Sequence, residues 1–169
     1  MLLLSSLELV ALYQTRELLI GRGLAVLAAW ALLNLIGSGY LLRKADRRHE
    51  PYFFHGMNVG WGAINAGLAC WGILHLHFVA PAGLGLAELF QTQLAHENLF
   101  ILNSGLDVAY IMTGFYLRAQ AAIPGQLNPT RLSGFGHALW VQGGFLLVFD
   151  VAMWSLLHWY GNGWLRLLI

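Results

Sequence analysis

Two aspartates stand where aspartates are costly. Asp107 lies near the middle of the apolar stretch 99–117, LFILNSGLDVAYIMTGFYL, and Asp150 lies inside a second one. The first stretch has about the 20 apolar residues needed to cross a bilayer. A carboxylate at that depth costs several kcal/mol, so it faces the protein interior with a partner. Two carboxyls brought together in a low dielectric cannot both ionise and would share one proton. Such a pair suits a proton-coupled carrier or a cation site. The alternative is structural: a protonated Asp107 that hydrogen-bonds Asn65 or Tyr110 and fixes helix register.

Spacing supports a shared polar interior. Asn103, Asp107, Tyr110 and Gly114 recur at steps of four, three and four, which is one face of a helix. At about 1.5 Å per residue, Asp107 and Asp150 lie roughly 12 Å inside a ~30 Å hydrocarbon layer, with Asn65 at a similar level. Gln142, Tyr110, Asn34 and Asn58 fall deeper, so polar side chains line a route between two layers. The candidate ligand-binding residues are therefore Asn65, Asn103, Asp107, Tyr110, Gln142 and Asp150.

Histidines form a second constellation. His75, His77, His96 and His158 gather at one membrane surface beside Glu88 and Glu97, and imidazole with carboxylate can bind Zn²⁺ or Cu²⁺. No H-E-x-x-H-like spacing accompanies them, so they are weak metal candidates. His55 and His75, with His137 and His158, suggest the paired haem ligands of a b-type cytochrome. Geometry opposes it: twenty residues turn His55 and His75 to nearly opposite helix faces and separate them by about 30 Å. There is no phosphate-binding glycine motif, and no Ser or Cys stands with a His and an acid as a nucleophile. The sequence names no cofactor and leaves enzyme activity undecided; a lipid-acting enzyme using Asp107 and Asp150 stays open. Trp30, Trp61, Trp71, Trp140 and Trp154 could line an aromatic pocket or serve as packing and interfacial anchors.

The elements that must position these residues follow from composition. Of 169 residues 58% are hydrophobic and 10% charged, against about 25% charged in soluble domains. Four apolar runs, about 21–42, 52–79, 99–117 and 137–160, predict an all-α membrane protein with four transmembrane helices. Amphipathic lead-ins at 2–19 and 86–97, the first beginning with Leu2 and Leu3, read as interfacial helices, the first also as a helical lead-in to its span. Pro81 and the glycines around it break the chain between them. The stripes Gly23, Leu27, Trp30, Asn34, Gly37, Leu41 and Asn58, Gly62, Asn65, Ala69, Gly72 predict close helix packing through small residues. A net charge of +1 gives no sign of nucleic acid. The N-terminus lacks a basic region and a cleavage site and reads as retained. Cys70 is the single cysteine.

No linker divides the chain, so residues 1–169 read as one integral membrane domain. Its halves, about 1–79 and 86–160, repeat one another: LYQT at 12–15 matches LFQT at 89–92, GYLLR at 39–43 matches GFYLR at 114–118, and WGILH at 71–75 matches WSLLH at 154–158. They read as two pseudo-equivalent hairpins. Six of the nine Lys and Arg sit in two loops, at Arg43, Lys44, Arg47, Arg48, Arg118 and Arg131. By the positive-inside rule both termini lie outside the cytoplasm. Trp159, Tyr160 and Trp164 mark the closing interface, with Arg166 beyond it. Four spans are few to enclose a substrate path, which leaves a homodimer open.

GWGAIN in the second span, NSGLDVAYIMTG in the third and QGGFLLVFD in the fourth resemble a family of uncharacterised four-span bacterial membrane proteins. The resemblance covers nearly the whole chain and implies a place in the bacterial inner membrane. It carries over no functional residue. The expected function is transport or binding of a small or lipidic ligand at a buried acid/amide site, with proton coupling as an option. The alternatives are a haem- or metal-binding redox protein and a structural subunit of a membrane complex.

Overall fold

The computed structural model describes the backbone of residues 6–78 and 85–168 and the side chains of 7–78 and 85–163. The expectations placed on Leu2, Leu3, Pro81, Trp164 and Arg166 lie outside the described backbone or side chains. Among the described residues every regular element is helical: α1 (Ser6–Leu33), a π-turn (Asn34–Ser38), α2 (Gly39–Lys44), α3 (Glu50–Phe78), α4 (Leu86–Ala121) and α5 (Pro129–Leu168).

α1, the π-turn and α2 form one continuous rod. Four helical segments, Leu7–Lys44, Glu50–Phe78, Leu86–Ala121 and Pro129–Gly163, are long and apolar enough to cross a membrane. The surface pattern agrees with that composition. Leu33, Ile36, Phe78, Leu102, Val148 and Trp159 point outward, whereas Asn34, Asn58, Asn65, Asp107, Gln142 and Asp150 are buried. Water would reverse this distribution, because apolar surface is driven inward and polar groups outward.

The predicted lead-ins are not separate helices. Residues 86–97 run straight into the third span within the 36-residue α4, and the described part of the first lead-in runs into α1. Tertiary bonds hold these extensions. Arg16, inside the lead-in 2–19, is buried and donates to the Leu89 carbonyl at 3.2 Å. The Tyr160 hydroxyl donates to the Leu12 carbonyl at 2.8 Å. The starts of α1 and α4 therefore meet the end of α5 at one pole, called here the terminal pole. At the other, basic pole, Ser133 Oγ donates to Glu50 Oε2 at 2.9 Å, joining α3 to α5.

Helix ends follow local rules. α2 stops where Ala45 turns extended, at ψ 138°. Asn128 takes the left-handed φ of 59° directly before Pro129, whose fixed φ suits the first position of α5. Glu88 opens α4 and Arg118 closes it, each opposing the charge of the helix dipole at its end.

Packing pairs α1 with α3 and α4 with α5, and α3 lies across α5; α3 and α4 do not pack closely. The α4–α5 seam is tight because Gly114 and Gly136 face each other. A Cβ on Gly114 would stand 2.7 Å from the Gly136 carbonyl oxygen, and a Cβ on Gly136 2.7 Å from that of Gly114. The predicted stripe on the first span holds to Asn34 and then fails: Gly37 and Leu41 are exposed and Ser38 is buried instead. The π-turn widens the helical repeat, so the inward register moves past Gly37 to Ser38. Gly62 does serve packing, its Cβ position lying 3.1 Å from the Ala31 carbonyl oxygen.

Candidate functional site

Where α3 and α4 part, the four-helix interior holds a cavity of about 510 Å³. Its wall is largely apolar, and its polar members are few. Asn65 from α3, Asn103, Asp107 and Tyr110 from α4, and Asp150 from α5 all line it. Five of the six predicted ligand-binding residues thus share one space. Asp107 comes inward because it lies four residues from Asn103 and three from Tyr110 on α4, and Asp150 because it lies eight residues, just over two turns, beyond the buried Gln142 on α5. The Asp107 and Asp150 carboxyls are within hydrogen-bonding reach of each other. Such a contact needs a proton between them, since two bare carboxylates only repel.

The centre is incompletely bonded. Asp107 and Asn65 are each 2% exposed. Among the described residues, the buried atoms Asp107 Oδ2, Asn65 Nδ2, Gln93 Oε1 and Trp140 Nε1 have no hydrogen-bond partner. Burying an unpaired polar group costs roughly 1–3 kcal/mol, so the interior carries polar groups that its packing leaves unsatisfied.

Gln142 stands apart from this site. Its Nε2 donates to Asn34 Oδ1 and to Asn58 Oδ1, both at 2.8 Å, and its Oε1 accepts from Trp30 Nε1 at 2.9 Å. Asn34 Nδ2 in turn donates to the Trp30 carbonyl at 2.8 Å. This layer ties the first span, α3 and α5 together with its bonds made within the protein. Between it and the acid pair stand Leu146 and the Trp61 and Tyr110 rings, whose centroids are 4.9 Å apart in an edge-on contact. The polar route expected between the layers is interrupted there by apolar and aromatic side chains.

The cavity extends from Trp61 and Tyr110 toward His75 and His96, which line its terminal-pole end. That is fourteen residues on each helix, or about 21 Å. The weak metal candidates divide. His96 Nδ1 lies 2.8 Å from the Thr92 carbonyl, His77 Nδ1 3.0 Å from that of Ile73, and His158 Nδ1 2.9 Å from Glu97 Oε2. Among the described residues no three His, Cys, Asp or Glu side chains are grouped to hold a metal ion.

Besides Ser38, sequence reasoning missed three buried polar residues. Gln93 donates to Leu157 O at 2.6 Å and to Glu97 Oε1 at 2.9 Å, Ser104 donates back to Phe100 O at 2.9 Å, and Arg16 closes the terminal pole. Gln93 and Arg16 lie on the predicted lead-ins, where polar residues pass for solvent-facing ones. Ser104 follows Asn103 on the polar face of α4, so the helical wheel was the available signal.

Fold and site together define a membrane-like four-helix bundle with a buried acid/amide centre. A model described as a family of unknown function (DUF6992) matches residues 26–151, and the chain belongs to that family. The matched range contains all six predicted ligand-binding residues. No curated protein and no solved structure matches the chain.

Proposed function

We propose that this is an integral membrane protein that binds a small or lipidic ligand in the cavity, with Asp107, Asp150 and Asn65 as the polar anchor. The observation that carries this reading is the gathering of Asn65, Asn103, Asp107, Tyr110 and Asp150 around one largely apolar cavity. The contrast with Gln142 sharpens it. The Gln142 layer lies outside the cavity and makes its bonds within the protein, as a layer that fixes helix register does. Transport coupled to a proton is the fuller form of the same function, because ligand binding beside a shared proton changes where that proton rests. The six basic side chains at one pole favour both termini outside the cytoplasm. The matched placement of the Trp71–His75 and Trp154–His158 ring contacts favours two copies of one hairpin.

The test is direct. Solvent extracts of the protein purified in mild detergent should contain one compound enriched over the bulk lipid. Leu106→Trp, which fills the cavity from its rim, should lose that compound while remaining folded. Identical extracts from the two proteins would reject the binding function.

A further inference from the structure

Two openings face the lipid. The first belongs to the cavity: Leu68, Trp71, Leu99 and Leu106 line it and are also exposed on the outer surface. They belong to α3 and α4, the helices that do not pack closely, so this opening is lateral and its rim is apolar. The second is a groove of about 520 Å³ between α1 and α5, which meet only sparsely. Leu19 and Val26 from α1 face Val148, Ala152 and Leu156 from α5 across it. Its floor is stiff, because the Phe145 ring stacks on Trp30 at 4.0 Å and runs parallel to Phe149 at 6.2 Å.

The groove is separate from the cavity. Gly23, Phe149 and Met153 line both, so the floor of one is the wall of the other. The wall is tight there: a Cβ on Gly23 would stand 2.6 Å from Met153 Sδ.

One charged side chain lines the groove. Arg22 stands at the terminal-pole end of the first span and is exposed; among the described residues it has no hydrogen bond, ion pair or ring contact, and no acid lines the groove beside it. A guanidinium beside apolar surface needs an anion, and its planar fork fits a phosphate with two hydrogen bonds. The apolar part has the matching length. From Phe145 to Leu156 is eleven residues of α5, or about 17 Å, against ~15 Å of hydrocarbon in one leaflet.

We infer that the groove between α1 and α5 seats one anionic phospholipid of the terminal-pole leaflet, with Arg22 on its phosphate and one acyl chain along Val148, Ala152 and the Phe145–Phe149 floor. A zwitterionic lipid brings its own cation to the phosphate and gains less from Arg22. The site stands independently of the ligand reading for the inner cavity.

Native mass spectrometry tests it on the full chain, released from micelles doped with equal amounts of dioleoylphosphatidylglycerol and dioleoylphosphatidylcholine. One phosphatidylglycerol per chain should be retained at least about tenfold better than phosphatidylcholine, the difference expected for hydrogen bonds to a charged partner. Arg22→Gln should bring that ratio toward one, and Ala152→Trp, at an exposed position in the groove, should lower retention of both lipids. Arg43→Gln, at an exposed position of the basic pole, should change neither. Leu106→Trp should also keep the phosphatidylglycerol, which separates this site from the cavity. Equal retention of the two lipids, or a preference that survives Arg22→Gln, would overturn recognition by Arg22. Retention untouched by Ala152→Trp would remove the chain from the groove, and displacement by excess inorganic phosphate would reduce the site to a surface anion contact.

Discussion

Asp107 on α4 and Asp150 on α5 meet carboxyl to carboxyl inside the bundle, although 43 residues and a loop separate them. Both residues line the cavity where α3 and α4 part. The consequences of that relationship can be measured.

Asp107→Asn is the conservative disruption. The amide keeps the shape of a protonated carboxyl and can still hydrogen-bond Asp150, so the melting temperature in detergent should change little. Binding of the extracted ligand, and any transport coupled to protons, should be lost because the shared proton is gone. Unchanged binding in both Asp107→Asn and Asp150→Asn would reduce the pair to a packing device.

The Gln142 layer should behave in the opposite way. Gln142→Leu strands Asn34 Oδ1, Asn58 Oδ1 and Trp30 Nε1 in the interior. A loss of about 2–4 kcal/mol is expected, from roughly 1–3 for each group left unmade with partial relaxation. Asn65→Leu removes an already unpartnered Nδ2 and should cost less than about 1 kcal/mol. Reversible unfolding in mixed micelles gives both values, and the reverse order would contradict the division into a structural and a functional layer.

Helix approach supplies a third test. Gly114→Ala places a methyl 2.7 Å from the Gly136 carbonyl oxygen and 2.6 Å from Trp140 Cδ1, which α4 and α5 can relieve only by separating. A cost of about 1–3 kcal/mol is expected for such overpacking. Gly105→Ala, on the same helix with nothing within 4 Å of the new Cβ, should be close to neutral. Equal thermal stability of the two variants would refute a tight α4–α5 seam.

The proposed orientation, with both termini outside the cytoplasm, rests on six basic side chains in the 43–48 and 118–131 segments. A reporter fused after Ile169 should be active only if it is a kind that works outside the cytoplasm. Activity of a cytoplasm-dependent reporter at that point would invert the assignment.

Much of this was legible from residue types. Four apolar runs predicted four long helices, and the step of four and three through Asn103, Asp107 and Tyr110 predicted one polar face. Helix rise alone put Asp107 and Asp150 at one depth. Neighbour relations were not legible, because hydropathy reports what a helix buries and not against which helix. Thus the gap between α3 and α4, and the choice of Asn34 and Asn58 as partners for Gln142, appear only in three dimensions. The π-turn was hidden for another reason. NLIGS carries no residue that forces one, so counting at the ordinary helical period pointed Gly37 and Leu41 inward when Ser38 is the buried residue. The burial of Arg16 was not legible either, because a charged residue in an amphipathic lead-in passes for an interfacial one, while here Leu89 O and Glu17 take up its guanidinium.

The central claim is a proton-sharing acid pair reached from the lipid side, and carbodiimide labelling tests it most directly. These reagents add to protonated carboxyls, and a lipophilic one, dicyclohexylcarbodiimide, can enter through the apolar rim. Peptide mapping of the protein in vesicles should find one adduct per chain, on Asp107 or Asp150, formed with the lipophilic reagent and not with a water-soluble carbodiimide. The adduct should fall sharply in Leu106→Trp. Labelling of neither aspartate, or equal labelling by both reagents, would contradict a lipid-accessible, proton-sharing pair.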